Sequence, residues 1–225
     1  MQNILTVDVG GTHVKLLASS RQEPAKFKSG PRMTPAKMLE QALPLIKPWR
    51  VDAVSIGCPG LVVHGRLAVE PAHLGPGWVG FDFAKAFGRP VRIINDAAMQ
   101  ALGNYSDGRM LFLGLGTGLG SAMVVDGRLE PMELGHLPYK KGKTYEDYVG
   151  VAGLKRLGER KWRKHVWDVV ARIRQALEPD TVVVGGGNAA RLSDPPEGVR
   201  LGENAAAFTG GFRLWRMPQD QYQQK

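Results

Sequence analysis

The stretch ILTVDVGGTHVKLLAS, residues 4–19, sets two apolar runs around Asp8, two glycines and a threonine. Residues 2–9 and 13–19 read as strands joined by the Gly10-Gly11 turn, since β-rich runs separated by a short glycine link form a hairpin pattern. Such a turn is either a plain hairpin or a cradle for phosphate. In a cradle, glycines let the backbone come close to a ligand and successive N–H groups point at the anion. The device recurs at MLFLGLGTGLGSAMVVDGRLEP, residues 110–131, where the second strand closes on Asp126-Gly127, a strong hairpin signal. Two copies of one device, joined by α/β material, suit two similar lobes better than a solenoid.

Between the copies, 25–28 reads as a third strand and 34–47 as a helix with a threonine start and helically spaced apolar residues. VDAVSIGCPG is a strand ending in a turn, and LVVHGRLAVEP a hairpin around His64-Gly65. PAHLGPGWVGFD, 71–82, is a loop long enough to be functional. A short helix covers 81–88, a strand 91–96 and a helix 97–105. Beyond the second copy, 144–177 is mostly helical and TVVVGGGNAARL, 181–192, reads as strand, glycine turn and helix. ENAAAFTGGFRLWR, 203–216, is a final helix, and the polar tail 217–225 is expected to fray. The expected division is an N-terminal lobe over 1–104, a C-terminal lobe over 105–202, and the final helix packed back on the first lobe.

The chain has 225 residues, 43% hydrophobic and 23% charged, a soluble globular composition able to bury a core. No apolar run reaches the length of a membrane span, and the N-terminus opens into strand pattern without a secretory signal. The one cysteine, Cys58, cannot form an internal disulfide, which fits a reducing cytosol. A cytoplasmic location is therefore expected. Net charge is +9, a balance that points to nucleic acid, a membrane surface or an anionic substrate. KRLGERKWRKHVWDVVARIR, 155–174, holds eight Lys/Arg against Glu159 and Asp168, and YKKGK, 139–143, adds three more. These stretches are either a solvated helix face or a track for a polyanion.

With GGGNA, three glycine-rich loops follow strands, and Thr12 and Thr117 add hydroxyls. Converging on one cleft, they would suit a polyphosphate ligand. The chain has no G-x-x-x-x-G-K-[ST], and GLGTGLG leads into a strand, which argues against a P-loop or Rossmann enzyme. Asp8, beside the first turn, is placed to hold Mg2+ directly or through water near phosphate oxygens, or simply to cap the turn. Asn95-Asp96 ends an apolar strand and starts a helix, where either residue could serve as N-cap. In the functional reading Asp96 takes a proton from a substrate hydroxyl while Asn95 orients the substrate. Glu133 and His136 could bind sugar hydroxyls or a metal, or be structural; zinc would need more ligands nearby.

DVGGTHVK, GCPG, PAHLGPGW, IINDAAMQALG, GLGTGLGSAMVVDG, ELGH and VVVGGGNA follow one another in the order of the ROK sugar kinases. The chain resembles that family from Ile4 to Trp215, and its polyphosphate glucokinase branch through RLEPMELGHLPYKKGKTYEDYVG and KRLGERKW. The resemblance implies an α/β, actin-like ATPase (ribonuclease H-like), two-lobed sugar kinase fold. It implies Asp96 as the base acting on the sugar 6-hydroxyl, and Asn95, Glu133, His136 and Glu146 as sugar contacts. Asp8, Gly10, Gly11, Thr12 and Lys15 fall in the first phosphate motif, Gly116, Thr117 and Gly118 in the second, and Gly186 and Gly187 in the nucleotide-end loop.

The activity implied is transfer of a phosphoryl group to glucose, with Mg2+ as cofactor and inorganic polyphosphate and/or ATP as donor. The partners implied are a hexose and a polyanionic donor, in a homodimer. HLPYKKGKTYED stands where many relatives carry a Cys-rich zinc motif, so no zinc site is expected. No helix-turn-helix precedes the first strand and no groove-reading motif is present, so no nucleic-acid role is expected; nor is a membrane one. The alternative is a sugar-binding or regulatory protein of this family without catalysis.

Overall fold

The computed structural model describes residues 2–203, 205–218 and 221–222. Strands β1 (Ile4–Val9), β2 (His13–Ala18) and β3 (Ala25–Lys28) form an antiparallel meander, followed by α1 (Pro35–Ile46) and β4 (Ala53–Cys58). Every residue of β1 and β4 is buried, which suits parallel neighbours covered on both faces. Thr34 caps α1 by accepting from the N–H of Lys37 at 3.3 Å, and Pro35 occupies the first turn, where its missing N–H costs nothing. Strands β5 (Val62–Val63) and β6 (Arg66–Leu67) form a hairpin turned by His64 and Gly65 at φ 49° and 70°. Then come α2 (Phe83–Phe87), β7 (Val91–Asn95) and α3 (Asp96–Asn104). The first sheet has the order β3-β2-β1-β4-β7, with β4 parallel to both β1 and β7.

The second sheet repeats it. Strands β8 (Arg109–Leu115), β9 (Leu119–Val125) and β10 (Arg128–Met132) form a meander whose second turn places Asp126 and Gly127 at φ 50° and 81°. Helices α4 (Tyr145–Val149), α5 (Val151–Leu157) and α6 (Glu159–Leu177) lead to β11 (Thr181–Gly185), β12 (Val199–Leu201) and α7 (Ala206–Arg213). The order is β10-β9-β8-β11-β12, with β11 parallel to both β8 and β12.

Alternation along β8 assigns its two faces. Leu111 and Leu113 pack with Trp162, Val166 and Val169 of α6, whereas Met110 and Phe112 join Ala98, Met99 and Leu102 of α3 and Ala207 near the C-terminus. Helices α3 and α7 therefore lie on one face of the second sheet and α6 on the other. Helix α7 also touches the first sheet: the Thr6 hydroxyl donates to the Phe208 carbonyl at 3.3 Å and the Ser55 hydroxyl to that of Gly211 at 2.6 Å. The α3–α7 crossing admits no side chain at Gly103 or Gly210, where a Cβ would overlap the carbonyl oxygens of Ala206 and Met99.

Three expectations need correction. The helix after the third glycine loop is only a 3-10 turn, Ala189–Arg191, and the final helix is α7 followed by a 3-10 turn at Leu214–Arg216. The tail does not fray throughout. Tyr222 is 5% exposed within the α3–α7 core, and the Arg92 guanidinium lies 5.2 Å from its ring centroid. Positions 219, 220 and 223–225 of that tail lie outside the described residues.

Candidate active site

The three glycine loops meet. A side chain on Gly11 would begin 3.4 Å from His73 Cβ and 3.6 Å from Thr117 Oγ1, so the first loop faces the second. Asn188, in the third loop, donates through its backbone N–H to Leu115 O at 3.0 Å and through Nδ2 to Gly116 O at 3.1 Å. Gly186, at φ 84°, sits against the Leu115 backbone, where a Cβ would come within 2.6 Å of its oxygen. Gly187 has open space before it. Within the first turn Gly10 N donates to His13 O at 2.9 Å. Thr12 and Thr117 are exposed, leaving their hydroxyls available to a ligand.

Asp8 is 8% exposed on β1 and faces Lys15 across the ladder, with Lys15 Nζ 3.3 Å from Oδ2. Asn95 caps α3: its Oδ1 accepts from the N–H groups of Ala97 at 2.9 Å and Ala98 at 3.1 Å. Its Nδ2 donates to Gly60 O at 3.1 Å, tying the α3 start to the turn after β4. The capping reading of Asn95 is thus realised, and the cap fixes Asp96 as the first residue of the helix. Asp96 Oδ1 accepts from the Ala97 N–H at 2.9 Å. Its carboxyl is nevertheless pushed up to about 7, chiefly by burial, next by the Asp8 carboxylate, with Glu133 adding to it. The Cys58 thiol, in register with Asn95, is pushed up by burial and then by Asp96 and Glu70.

Glu133 follows β10 and precedes a 3-10 turn, Leu134–His136. Partial removal from water raises its carboxyl; His136 opposes that shift and Glu146 adds to it. His136 Nε2 lies 3.7 Å from Glu146 Oε1. The Glu146 carboxylate occupies the space that a side chain on Gly118 would need. Asn95 and Glu133 line one small cavity of about 130 Å³ with the β5–β6 hairpin and Tyr222. The structure therefore brings Asp8, Asp96, Glu133, His136 and Glu146 to the place where the loops converge, with two carboxylates acting on the Asp96 carboxyl from different sides of the chain.

Sequence reasoning missed two supports. Glu70 accepts backbone N–H bonds from Gly77, Trp78 and Val79 at 3.1, 3.0 and 3.3 Å. These bonds hold its carboxyl below the usual range and fold the 71–82 loop back beside the first glycine turn. The second support is Tyr139. Its hydroxyl donates to Asp168 Oδ2 at 2.5 Å and lies 2.9 Å from His165 Nδ1, while its ring packs on Tyr145 and Tyr148 at centroid distances of 5.4 and 4.9 Å. Since α4 carries both Tyr145 and Glu146, this cluster anchors Glu146 to α6. Hydrogen bonding to Tyr139, helped by Lys140 and Arg172, holds the Asp168 carboxyl down at about 2. Tyr139→Phe is expected to cost about 1–2 kcal/mol, a fall of about 2–8 °C in melting temperature, readable by calorimetry.

Four of the eight cations of 155–174 are committed elsewhere. Arg156 bonds the Asp147 carbonyl, Arg163 pairs with Glu159, Arg172 with Asp168, and Arg174 bonds the Glu197 carbonyl. Helix α6 packs on the face of the second sheet opposite α3, at whose start Asp96 stands.

The family model described as ROK family matches residues 4–144. A polyphosphate glucokinase of Mycobacterium tuberculosis is 33% identical over 155 residues, covering 62% of this chain and 57% of that protein. An N-acetylmannosamine kinase of Salmonella arizonae is 32% identical over 174 residues, covering 68% of this chain and 58% of that protein. The chain thus matches little more than half the length of these relatives. The solved structure of an inorganic polyphosphate/ATP-glucomannokinase from Arthrobacter sp. strain KM superposes with a TM-score of 0.79 at 24% identity, covering 94% of this chain and 97% of that one. The fold is the actin-like, two-lobed α/β fold that the sequence implied.

Proposed function

We propose, from the premise that this chain belongs to the ROK family, that it is a hexose kinase. It transfers a phosphoryl group to the 6-hydroxyl of glucose from inorganic polyphosphate, ATP or both. The observation that carries the reading is Asp96: a carboxyl poised at about 7, at the helix start beside converging glycine turns. A base tuned near working pH combines ionisation with proton affinity. The sugar follows the branch resemblance and the polyphosphate glucokinase relative, and the N-acetylmannosamine kinase relative makes a C2-substituted hexose the competitor to test.

In this reading the lobes 1–104 and 105–202 enclose the reactants between the two sheets. Glu133, His136 and Glu146 receive sugar hydroxyls, and Asn95 orients the sugar while keeping the α3 start in place. Asp96 takes the proton of the attacking 6-hydroxyl. Backbone N–H groups of Gly11 and Gly118, with the hydroxyls of Thr12 and Thr117, hold the phosphates, Gly10 and Gly116 shape the two turns by donating to His13 O and Gly118 O, and Gly186 and Gly187 border the nucleotide end. Positioning and charge stabilisation supply most of the acceleration in phosphoryl transfer.

The residues present fit Mg2+. Among the described residues no group of three or more His, Cys, Asp or Glu forms a metal cage, but Mg2+ needs only one or two carboxylates plus substrate phosphates. Asp8 would hold it, through water, beside the first turn. When bound, the ion offsets the negative charge of the transferring phosphates. Lys15 steadies Asp8 and supplies a further positive charge. A cytoplasmic homodimer is the setting we propose.

The pH dependence tests the base. The kcat/KM for hexose reports the free enzyme, so it is expected to fall about tenfold per pH unit below about 7. Glu133→Gln removes one of the charges that raise the Asp96 carboxyl and should move this limb to lower pH in whatever activity remains. A limb that stays flat to pH 5 contradicts Asp96 as the base.

A further inference from the structure

The face of the first sheet that bears Thr6 and Asp8 is covered by α7 at Thr6 and Ser55. Beyond β1 the same face runs outward over β2 and β3. Lys15 stands opposite Asp8 and Lys26 opposite Lys15, while His13 stands opposite Lys28. Directly paired residues share a face, and like charges set opposite one another are destabilising. Asp8 answers Lys15 at 3.3 Å. Among the described residues neither Lys26 nor Lys28 has an ion-pair partner, and both are exposed. The row begins at the first glycine loop: His13 Nδ1 lies 3.3 Å from Thr12 Oγ1, and Ser29 N donates to Thr12 O at 2.8 Å.

Lysines on an edge strand also deter strand-to-strand aggregation, and β3 is an edge. That role is met by charge of either sign and gives no reason to set Lys26 opposite Lys15. A bound polyanion does give one.

We propose that His13, Lys15, Lys26 and Lys28 form a tract for the trailing chain of a linear inorganic polyphosphate whose terminal unit sits in the glycine turns. The inference rests on the donor reading above. It places the chain on the first sheet, on the face that carries Asp8, and not along α6.

The test compares Lys26→Glu/Lys28→Glu with Lys161→Glu/Lys164→Glu on α6, assaying long-chain polyphosphate and ATP at two salt concentrations. The first variant keeps the edge charged and turns the repulsive Lys15–Lys26 pair into an attractive one, so its melting temperature should hold or rise. Its KM for polyphosphate should rise about tenfold or more, with a smaller rise for ATP. Its salt dependence should weaken by about 0.7 for each phosphate the tract no longer neutralises. The α6 variant should show no such rise. An unchanged polyphosphate KM in the β3 variant, or a larger rise in the α6 variant, overturns the tract. Wild-type protein that uses ATP but not polyphosphate overturns the donor reading itself, and the tract with it.

Discussion

Asp96→Asn is expected to lower kcat by about 10²–10⁴-fold, the range supplied by a positioned acid–base group, with hexose KM changed far less. The amide keeps the shape and can still accept the Ala97 N–H, so the helix start is preserved while the proton acceptor is lost. Stability should move the other way. Asp96 titrates from an ordinary value near 3.8 when unfolded to about 7 when folded. The native state therefore holds a proton that the unfolded state has released, and wild-type stability falls as pH rises between those values. Asparagine has no such loss. The melting temperature of the variant relative to wild type should climb between pH 5 and pH 8, a trend that calorimetry checks. A variant that is inactive and also less stable at pH 8 would point to a structural role for the carboxylate instead.

Gly210→Val is expected to do the most damage to the fold. Its Cβ would fall on the Met99 carbonyl of α3, and backbone has no rotamer by which to yield. Overpacking of this kind costs about 3 kcal/mol or more, a fall of about 6–12 °C for a chain of this size. Helix α3 begins at Asp96, so pushing it away from α7 also shifts the base. A displacement of one ångström can cost about 10²-fold in rate. Both donors should be affected alike, and the acid limb of kcat/KM should stay near its wild-type position. Chemical denaturation and donor kinetics on one preparation separate the two effects.

Much of this was legible in sequence because it is local. The paired strand–glycine–strand devices, the His64-Gly65 and Asp126-Gly127 turns and the Asn95-Asp96 helix start are each written within a dozen residues. Periodicity also placed α1, and the helical reading of 144–177 spans α4, α5 and α6 without separating them. What was not legible depends on distant partners. Nothing near Glu70 signals that it would gather the N–H groups of residues 77–79, and nothing near Tyr139 points to Asp168 on α6. The charge count of 155–174 showed a basic helix but not the face of the sheet it packs on. The tail looked polar because Tyr222, its one buried side chain among the described residues, is surrounded by glutamines in sequence and by Arg92 and the β5–β6 hairpin in space. The convergence of the three loops was inferred from their repetition, whereas the approach of Gly11 to Thr117 and the bonds from Asn188 are properties of the folded chain alone.

The most direct test of the kinase reading is formation of hexose 6-phosphate by the wild-type protein with Mg2+, across glucose, mannose and N-acetylmannosamine, with long-chain polyphosphate or ATP as donor. Product from glucose with at least one donor, formed about 10²–10⁴-fold more slowly by Asp96→Asn, is the expected result. Sugar binding without turnover on any hexose and either donor would contradict it, and would identify the chain as a non-catalytic sugar-binding member of its family.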